Sequence, residues 1–381
     1  MIALAFVPLA AWVYLLFGRG MFWRLRERDD DGPAPVDAME APSVIAVVPA
    51  RDEADVIATA VTSLLAQDYK GRFRLVLVDD QSSDGTAEVA RRAALASGRD
   101  DRCEILPGSE RPAGWTGKLW AMKQGLAYAQ KMQAAQYVLF TDADIAHASD
   151  NVSRLVARAE DEQLVLVSLM AKLECGTAAE RLLIPAFVFF FAMLFPFSQV
   201  NESTRKTAAA AGGCMLVRTE ALHAAGGLER IADAIIDDCA LARILKVQGA
   251  IWLGLSARVR SLRPYRTVGE IGRMIARSAY AQLRCSPLLL CGTVLGMAIV
   301  YAAPVALALF AHGLPRIAGV LAWVLMALSF QPILRFYRLS PLWGVALPLI
   351  GALYAGFTVQ SAVQHWRGRG GMWKGRAQAI A

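Results

Sequence analysis

From Ser286 to its last residue the chain contains no Asp or Glu, although it holds seven basic side chains there: Arg316, Arg335, Arg338, Arg367, Arg369, Lys374 and Arg376. The other 33 basic residues balance the 33 acidic ones, so residues 1–285 carry no formal net charge. The +7 total is therefore a property of one segment and gives no reason to expect nucleic acid as a partner. An apolar, acid-free segment with basic flanks is what membrane spans look like. Three apolar stretches, about 287–311, 317–334 and 341–362, are each of spanning length. With 56% hydrophobic and 19% charged residues, the chain is neither disordered nor a typical water-soluble globule. The six cysteines form no C-x-x-C pair, which points to neither a zinc site nor a disulfide framework.

A second apolar stretch opens the chain, MIALAFVPLAAWVYLLFG. No basic residue precedes it, and Arg19, Arg24, Arg26 and Arg28 follow, so the positive-inside rule puts the following residues in the cytoplasm. The expected organisation is a transmembrane anchor over 1–23, a linker over 24–42, a cytoplasmic catalytic domain over 43–285, three transmembrane helices over 286–364 and a basic tail over 365–381. These four spans imply a multi-pass membrane protein. Counting them places the tail outside, whereas its four basic residues favour the inside. Residues 182–200, LLIPAFVFFFAMLFPFSQV, are apolar enough for another crossing. A single crossing there would separate the acidic sites on its two sides, so helices lying in the interface plane are expected instead, with Pro185 and Pro196 as interruptions.

Between these segments the pattern alternates. SVIAVVPA, RLVLVDD, CEILPG, AQYVLFTDAD and LVLVSLMAKL read as strands, separated by stretches of helical spacing. Such alternation predicts an α/β domain with a parallel sheet, whose ligands sit at the carboxyl ends of the strands. Two of those ends carry carboxylates: Asp79 and Asp80 in VDDQSSDGT, and Asp142 and Asp144 in TDADIAH. Paired carboxylates at one sheet edge suit a hard divalent cation, Mg²⁺ or Mn²⁺, which neutralises a diphosphate. D-x-D alone is a weak signal, because acidic residues often end strands. Asp237 and Asp238 precede another helical run, where a helix start favours carboxylates in any case. GWTGKLWAMKQG lacks the spacing of a Walker A loop, yet Lys118 stands near a helix start where phosphates bind. The small residues of AAAAGGCMLVRTEAL permit close backbone approach to a ligand, or make a turn. Arg273, Arg277 and Arg284 are spaced to share one helix face, either as a positive flank or as a phosphate clamp. The four histidines show no metal spacing and read as structural.

Taken in order, VVPARDEADVIATAVTSLLAQDY, VDDQSSDGTAEVA, GWTGKLWAMKQG, TDADIAH, GGCMLVRTEAL and IDDCALA resemble a family 2 glycosyltransferase of the GT-A fold, over roughly residues 43–285. With its flanking apolar segments the chain is most similar to hopene-associated membrane glycosyltransferases, which are similar in turn to ceramide glucosyltransferases. The resemblance implies roles. Pro49, Ala50, Arg51 and Glu53 look like the nucleotide-binding edge. Asp80 matches the residue that reads uracil, with Asp79 as the alternative. Lys118 matches a donor-holding lysine, and Asp142 with Asp144 match the metal-binding D-x-D. Asp238 matches the catalytic base, in an Asp-Asp pair where the family has Glu-Asp. The Q-x-x-R-W signature of processive relatives is not present; Arg277 lies where it would be and is assigned to the nucleotide-sugar site.

The implied activity is inverting transfer from a UDP-sugar to a membrane lipid, with a hopanoid as the acceptor that the resemblance suggests. A polysaccharide synthase is the enzymatic alternative, and a non-catalytic scaffold with a degenerate nucleotide site is the alternative of another class.

Overall fold

The computed structural model describes residues 2–33, 41–132, 135–373 and 376–377. It divides the chain into two compact units, one of Met1–Arg26, Glu174–Gln199 and Tyr265–Gly371, the other of Glu27–Leu173, Val200–Pro264 and Met372–Ala381.

The second unit holds an eight-stranded sheet. Its strands are β1 (Val44–Ala50), β2 (Phe73–Asp79), β3 (Cys103–Pro107), β4 (Tyr137–Thr141), β5 (Ile145–His147), β6 (Leu166–Lys172), β7 (Cys214–Arg218) and β8 (Ile251–Ser261), in the order β3-β2-β1-β4-β7-β6-β8-β5. All seven residues of β1 are buried, as both-face coverage in a parallel sheet requires. β3, β2, β1 and β4 run parallel. The strand order reverses between β1 and β4, the switch point at which α/β sheets open a crevice beyond their carboxyl ends.

All five strands of the predicted alternation are present, and β5, β7 and β8 are additional. β7 runs antiparallel to both β4 and β6, so the sheet is mixed and not wholly parallel. That reversal brings the start of β7 to the same edge as the end of β4, because Thr141 pairs with Cys214.

The expected linker is a packed part of this unit at its first residues. Arg28 bridges to Leu255, and Asp29 is buried, accepting a hydrogen bond of 2.6 Å from the Ser256 hydroxyl. Arg258 pairs with Asp29 at 3.4 Å and with Asp30 at 2.6 Å. The basic partner of this acidic run thus lies far along the chain, on β8. Residues 34–40 of that linker lie outside the described residues.

The first unit holds the apolar helices. Pro287–Phe310, Leu314–Phe336 and Pro341–Trp366 are long and apolar enough to cross a membrane. The N-terminal segment is shorter: the apolar helix Leu4–Gly18 covers roughly 22 Å at ~1.5 Å per residue, against a hydrocarbon core of ~30 Å. Thus three described helices, not four, reach spanning length. Trp12 on the short helix is fully buried; its indole N–H donates to the Val300 carbonyl at 2.8 Å and its ring meets Tyr301 edge-on.

After Pro196 a short helix, Phe197–Asn201, continues the segment expected as interface helices; its main part is the helix Ala178–Leu194, which runs on through Pro185. Thr177 and Glu180 close its start as a capping box. It belongs to the unit of apolar helices: Phe189 packs on Phe22 and Phe330, Phe190 on Tyr301 and Tyr354, and the Tyr354 hydroxyl donates to the Leu183 carbonyl at 2.8 Å. The division into units cuts across the expected catalytic-domain limits of 43–285 at two places, since 174–199 and 265–285 group with the apolar helices. Nor do Arg273, Arg277 and Arg284 share one helix. The helix Val268–Ala276 ends at Arg277, and Arg284 has a φ of +52° beyond the short helix Ala279–Gln282. Of the basic tail, 374–375 and 378–381 lie outside the described residues.

Candidate active site

Three clusters of side chains line the carboxyl edge of β1, β2 and β4. The first joins the loops after β1 and β2. Pro49 and Ala50 end β1 opposite Val78 and Asp79. The Asp80 amide donates to the Ala50 carbonyl at 2.8 Å, and Asp80 itself is fully buried. Arg51 donates to the Asp80 carbonyl and lies 3.6 Å from its carboxylate. Asp79 is half-buried and accepts from the Ser82 amide at 3.3 Å and from the Ser82 hydroxyl. Of the two adjacent carboxylates, Asp79 thus holds its own loop, while Asp80 is the one fixed by Arg51.

In the second cluster, Arg263, just past β8, lies with its Nε 3.0 Å from Asp144 Oδ2 and donates from Nη2 to Glu53. Glu53 is buried, and its amide donates to the Thr86 hydroxyl at 2.8 Å. The sequence pattern offers no signal for Arg263, a single basic residue in SLRPY whose partners lie on two other loops.

The third cluster centres on Lys118, at the start of the helix Gly117–Met132. Its Nζ lies 2.8 Å from Asp142 and 3.0 Å from Asp237. Burial opposes the lysine's charge, but Asp142 and Asp237 outweigh it and hold the pKa above the usual lysine value. Burial also raises Asp142, against the pull of Lys118. Asp238 lies in the first turn of the helix Asp237–Lys246 and accepts from the Cys239 amide at 2.7 Å and the Gly212 amide at 3.0 Å. Burial first, and Asp237 second, push its pKa up to about 6, with Lys118 opposing. A carboxylate poised there is mostly ionised at neutral pH yet basic enough to take a proton. Gly212 is the part of the small-residue cluster that permits close approach: a Cβ there would stand 3.2 Å from Lys118 Nζ and 3.4 Å from Asp238 Oδ2.

His147 is structural, as its spacing suggested. It is buried between the Thr141 hydroxyl and the Asn151 amide, 2.9 Å from each, and burial lowers its pKa to about 4. Thr141 in turn donates to the Gly213 carbonyl at 2.7 Å, bracing the loop that carries Gly212. Arg277 is exposed and belongs to the unit of apolar helices, apart from the residues of these three clusters in the chain's division.

Among the described residues no three His, Cys, Asp or Glu side chains form a metal-binding group. The donor set nevertheless fits a hard cation of the kind held by one or two carboxylates together with substrate phosphates, for which Asp142 and Asp144 offer the oxygens.

Comparison with known proteins agrees with this architecture. The model for glycosyl transferase family 2 matches residues 45–226, a stretch that holds β1 to β7 and ends before Asp237. Two curated proteins named N-acetylglucosaminyltransferase are similar over part of the chain. One, from Rhizobium leguminosarum bv. viciae, is 32% identical over 127 residues, covering 33% of this chain and 27% of the relative. The other, from Rhizobium meliloti (strain 1021), is 29% identical over 145 residues, covering 37% and 32%. The match thus spans about a third or less of either relative's length. Among solved structures, the mannosyltransferase PcManGT from Pyrobaculum calidifontis, in complex with GDP-Man and Mn²⁺, superposes with a TM-score of 0.58 at 19% identity, covering 96% of this chain and 99% of that one. The fold is therefore a GT-A-like α/β core with three C-terminal helices of membrane-spanning length, and the matches support a family 2 glycosyltransferase.

Proposed function

We propose that the chain is a membrane-bound inverting glycosyltransferase that moves a sugar from a UDP-sugar to a lipid acceptor, a hopanoid being the acceptor its sequence resemblance suggests. The observation that carries the reading is Asp238. It is a carboxylate raised to about 6, fixed by two backbone amides, beside the Lys118–Asp142–Asp237 cluster at the sheet edge. Asp80 with Arg51, Pro49 and Ala50 forms the floor for the nucleotide, and Asp79 shapes the loop beside it. Lys118 sits where it meets the donor's phosphates. Arg277, one of the basic residues beside the apolar helices, remains a candidate contact for phosphate.

In this reading Asp238 takes the proton of the acceptor hydroxyl as its oxygen attacks the anomeric carbon. The bond from that carbon to the diphosphate breaks on the opposite face, and UDP departs with the electron pair. One displacement inverts the centre, so an α-linked donor gives a β-glycoside. A divalent cation, Mg²⁺ or Mn²⁺, held by Asp144 and Asp142, supplies neutralisation of the charge growing on the leaving diphosphate. Lys118 adds its own positive charge, kept in place by Asp142 and Asp237.

Three helices of spanning length support a lipid acceptor and a bacterial inner-membrane location, with the sheet-bearing unit on the cytoplasmic side. The helix Ala178–Leu194 is proposed to lie along the cytoplasmic membrane surface. The name N-acetylglucosaminyltransferase of the two Rhizobium relatives makes UDP-GlcNAc the first donor to try, before UDP-glucose and UDP-glucuronate. The test is mass spectrometry of lipid extracts from cells with and without the gene. A glycolipid lost on deletion and restored by the parent chain, but not by Asp238→Asn, supports the reading. Unchanged lipids together with no UDP binding to the purified chain would overturn it.

A further inference from the structure

The Arg263 bridge has a chemical consequence for the donor site. Its guanidinium reaches Asp144 through Nε at 3.0 Å and Glu53 through Nη2. The strand that delivers it is pinned beside the D-x-D, since the Leu262 amide donates to the Asp144 carbonyl at 2.7 Å. The Glu53 amide is held by the Thr86 hydroxyl, at the start of the helix Thr86–Ala96. A planar guanidinium spans two carboxylates at once in a way that a single ammonium does not. While the bridge stands, the Asp144 oxygen that a hard cation needs is already neutralised by the protein.

We propose that Arg263 is a latch on the metal site. In the donor-free protein it occupies Asp144. When a nucleoside diphosphate arrives with its cation, Arg263 cedes Asp144 and turns to Glu53 and the diphosphate oxygens. Metal binding is thereby coupled to donor binding, and cation alone is held weakly. In this scheme Arg263 acts through Asp144 before the donor binds and contacts the diphosphate after it. The inference rests on the donor-site reading above, but its main readout needs neither sugar nor acceptor.

The experiment is titration of the full chain in detergent with Mn²⁺, following free Mn²⁺ by electron paramagnetic resonance, with and without UDP. In the parent, UDP tightens Mn²⁺ binding by about tenfold or more, within the usual range of coupling between sites. Arg263→Gln tightens Mn²⁺ alone by about fivefold or more and reduces the effect of UDP in proportion. Arg263→Lys keeps the charge but loses the two-carboxylate bridge, so it also tightens Mn²⁺ alone. Glu53→Gln commits the guanidinium to Asp144 and weakens Mn²⁺ alone, an opposite sign that remains readable if an Arg263 variant fails to fold. Unchanged Mn²⁺ affinity in Arg263→Gln overturns the latch. So does tightening in the Gln variant without tightening in the Lys variant, since net charge alone then accounts for it. Failure of UDP to bind the parent with Mn²⁺ present rejects the donor reading, while the UDP-free titrations still decide the latch.

Discussion

Gly212 donates its amide to Asp238 Oδ2 at 3.0 Å, and a side chain at 212 would crowd both Asp238 and Lys118. Gly212→Ala is therefore expected to displace the base by a few tenths of an ångström. Transfer should fall by about 10- to 100-fold, as small misplacements of reacting groups do. UDP affinity measured by calorimetry should change little, because the Asp80 cluster is untouched.

Asp238→Asn removes the proton acceptor and leaves the clusters around Asp80 and Asp144 intact. Transfer should drop by about 10²- to 10⁴-fold while UDP and metal still bind. Turnover near that of the parent would remove Asp238 from the role of base.

Asp144→Ala should differ in kind. Loss of a hard oxygen ligand weakens metal-dependent UDP binding itself. Mn²⁺-dependent calorimetry of the two variants side by side tests this contrast. Equal metal-dependent affinity in Asp144→Ala and the parent would mean that the D-x-D does not hold the cation.

The pH dependence carries two opposite signs. Asp238 is raised to about 6, so its ionised form is the costly one in the fold. Its contribution to stability is full below the unfolded value of ~3.9 and is lost as pH rises through about 6. Asp238→Asn should therefore be more stable than the parent at pH 7, by on the order of 1 kcal/mol, and equal to it near pH 4. His147, lowered to about 4, works the other way: protonation of the unfolded chain removes stability as pH falls from ~6.5 toward that value. Thermal melts of the parent and Asp238→Asn from pH 4 to pH 8 check both. In the parent, kcat/KM should fall below about pH 6 with the ionisation of Asp238.

Phe190 is 8% exposed and packs between Tyr301 and Tyr354. Phe190→Asp should disrupt the apolar unit by several kcal/mol, since it buries a carboxylate with no partner in view. Phe191 is only partly buried, beside Phe195 and Phe197, so Phe191→Asp should be the milder change. Yield of folded protein in detergent, compared for the two variants, decides between core and surface roles along this helix.

The sheet edge was legible because strand ends that carry carboxylates announce themselves locally. β1, β2 and β4 are short β-branched runs, and Asp80, Asp142 and Lys118 follow them or open a helix at fixed offsets. The pairing of Lys118 with Asp237 was not legible, since it depends on which loops the sheet brings together. β7 and β8 were missed because CMLVR is short and follows a glycine pair, while IWLGLSARVRS loses its apolar run halfway. Arg263 was invisible for a related reason: its two carboxylate partners lie on the loops after β1 and β4, which become neighbours only in the folded sheet. The packing of the helix Ala178–Leu194 was hidden in a different way. Its composition is that of an interface segment, but its aromatic side chains are taken up by Phe22, Tyr301, Phe330 and Tyr354, and nothing in its own sequence announces those partners.

That helix also sets an order of assembly. It lies in the chain between β6 and β7, yet three of its aromatic partners are translated after the last strand of the sheet is complete. A nascent chain that has released all eight strands from the ribosome still carries Phe189 and Phe190 without Tyr301, Phe330 and Tyr354 to receive them. A chain ended after Pro264 would be left permanently at that stage. Every strand would be present, and a sticky apolar rod would protrude from the middle of the sheet's own sequence. Removing the three helices of spanning length is thus a cut made in the wrong place: the segment that packs with them lies, along the chain, between two strands of the sheet.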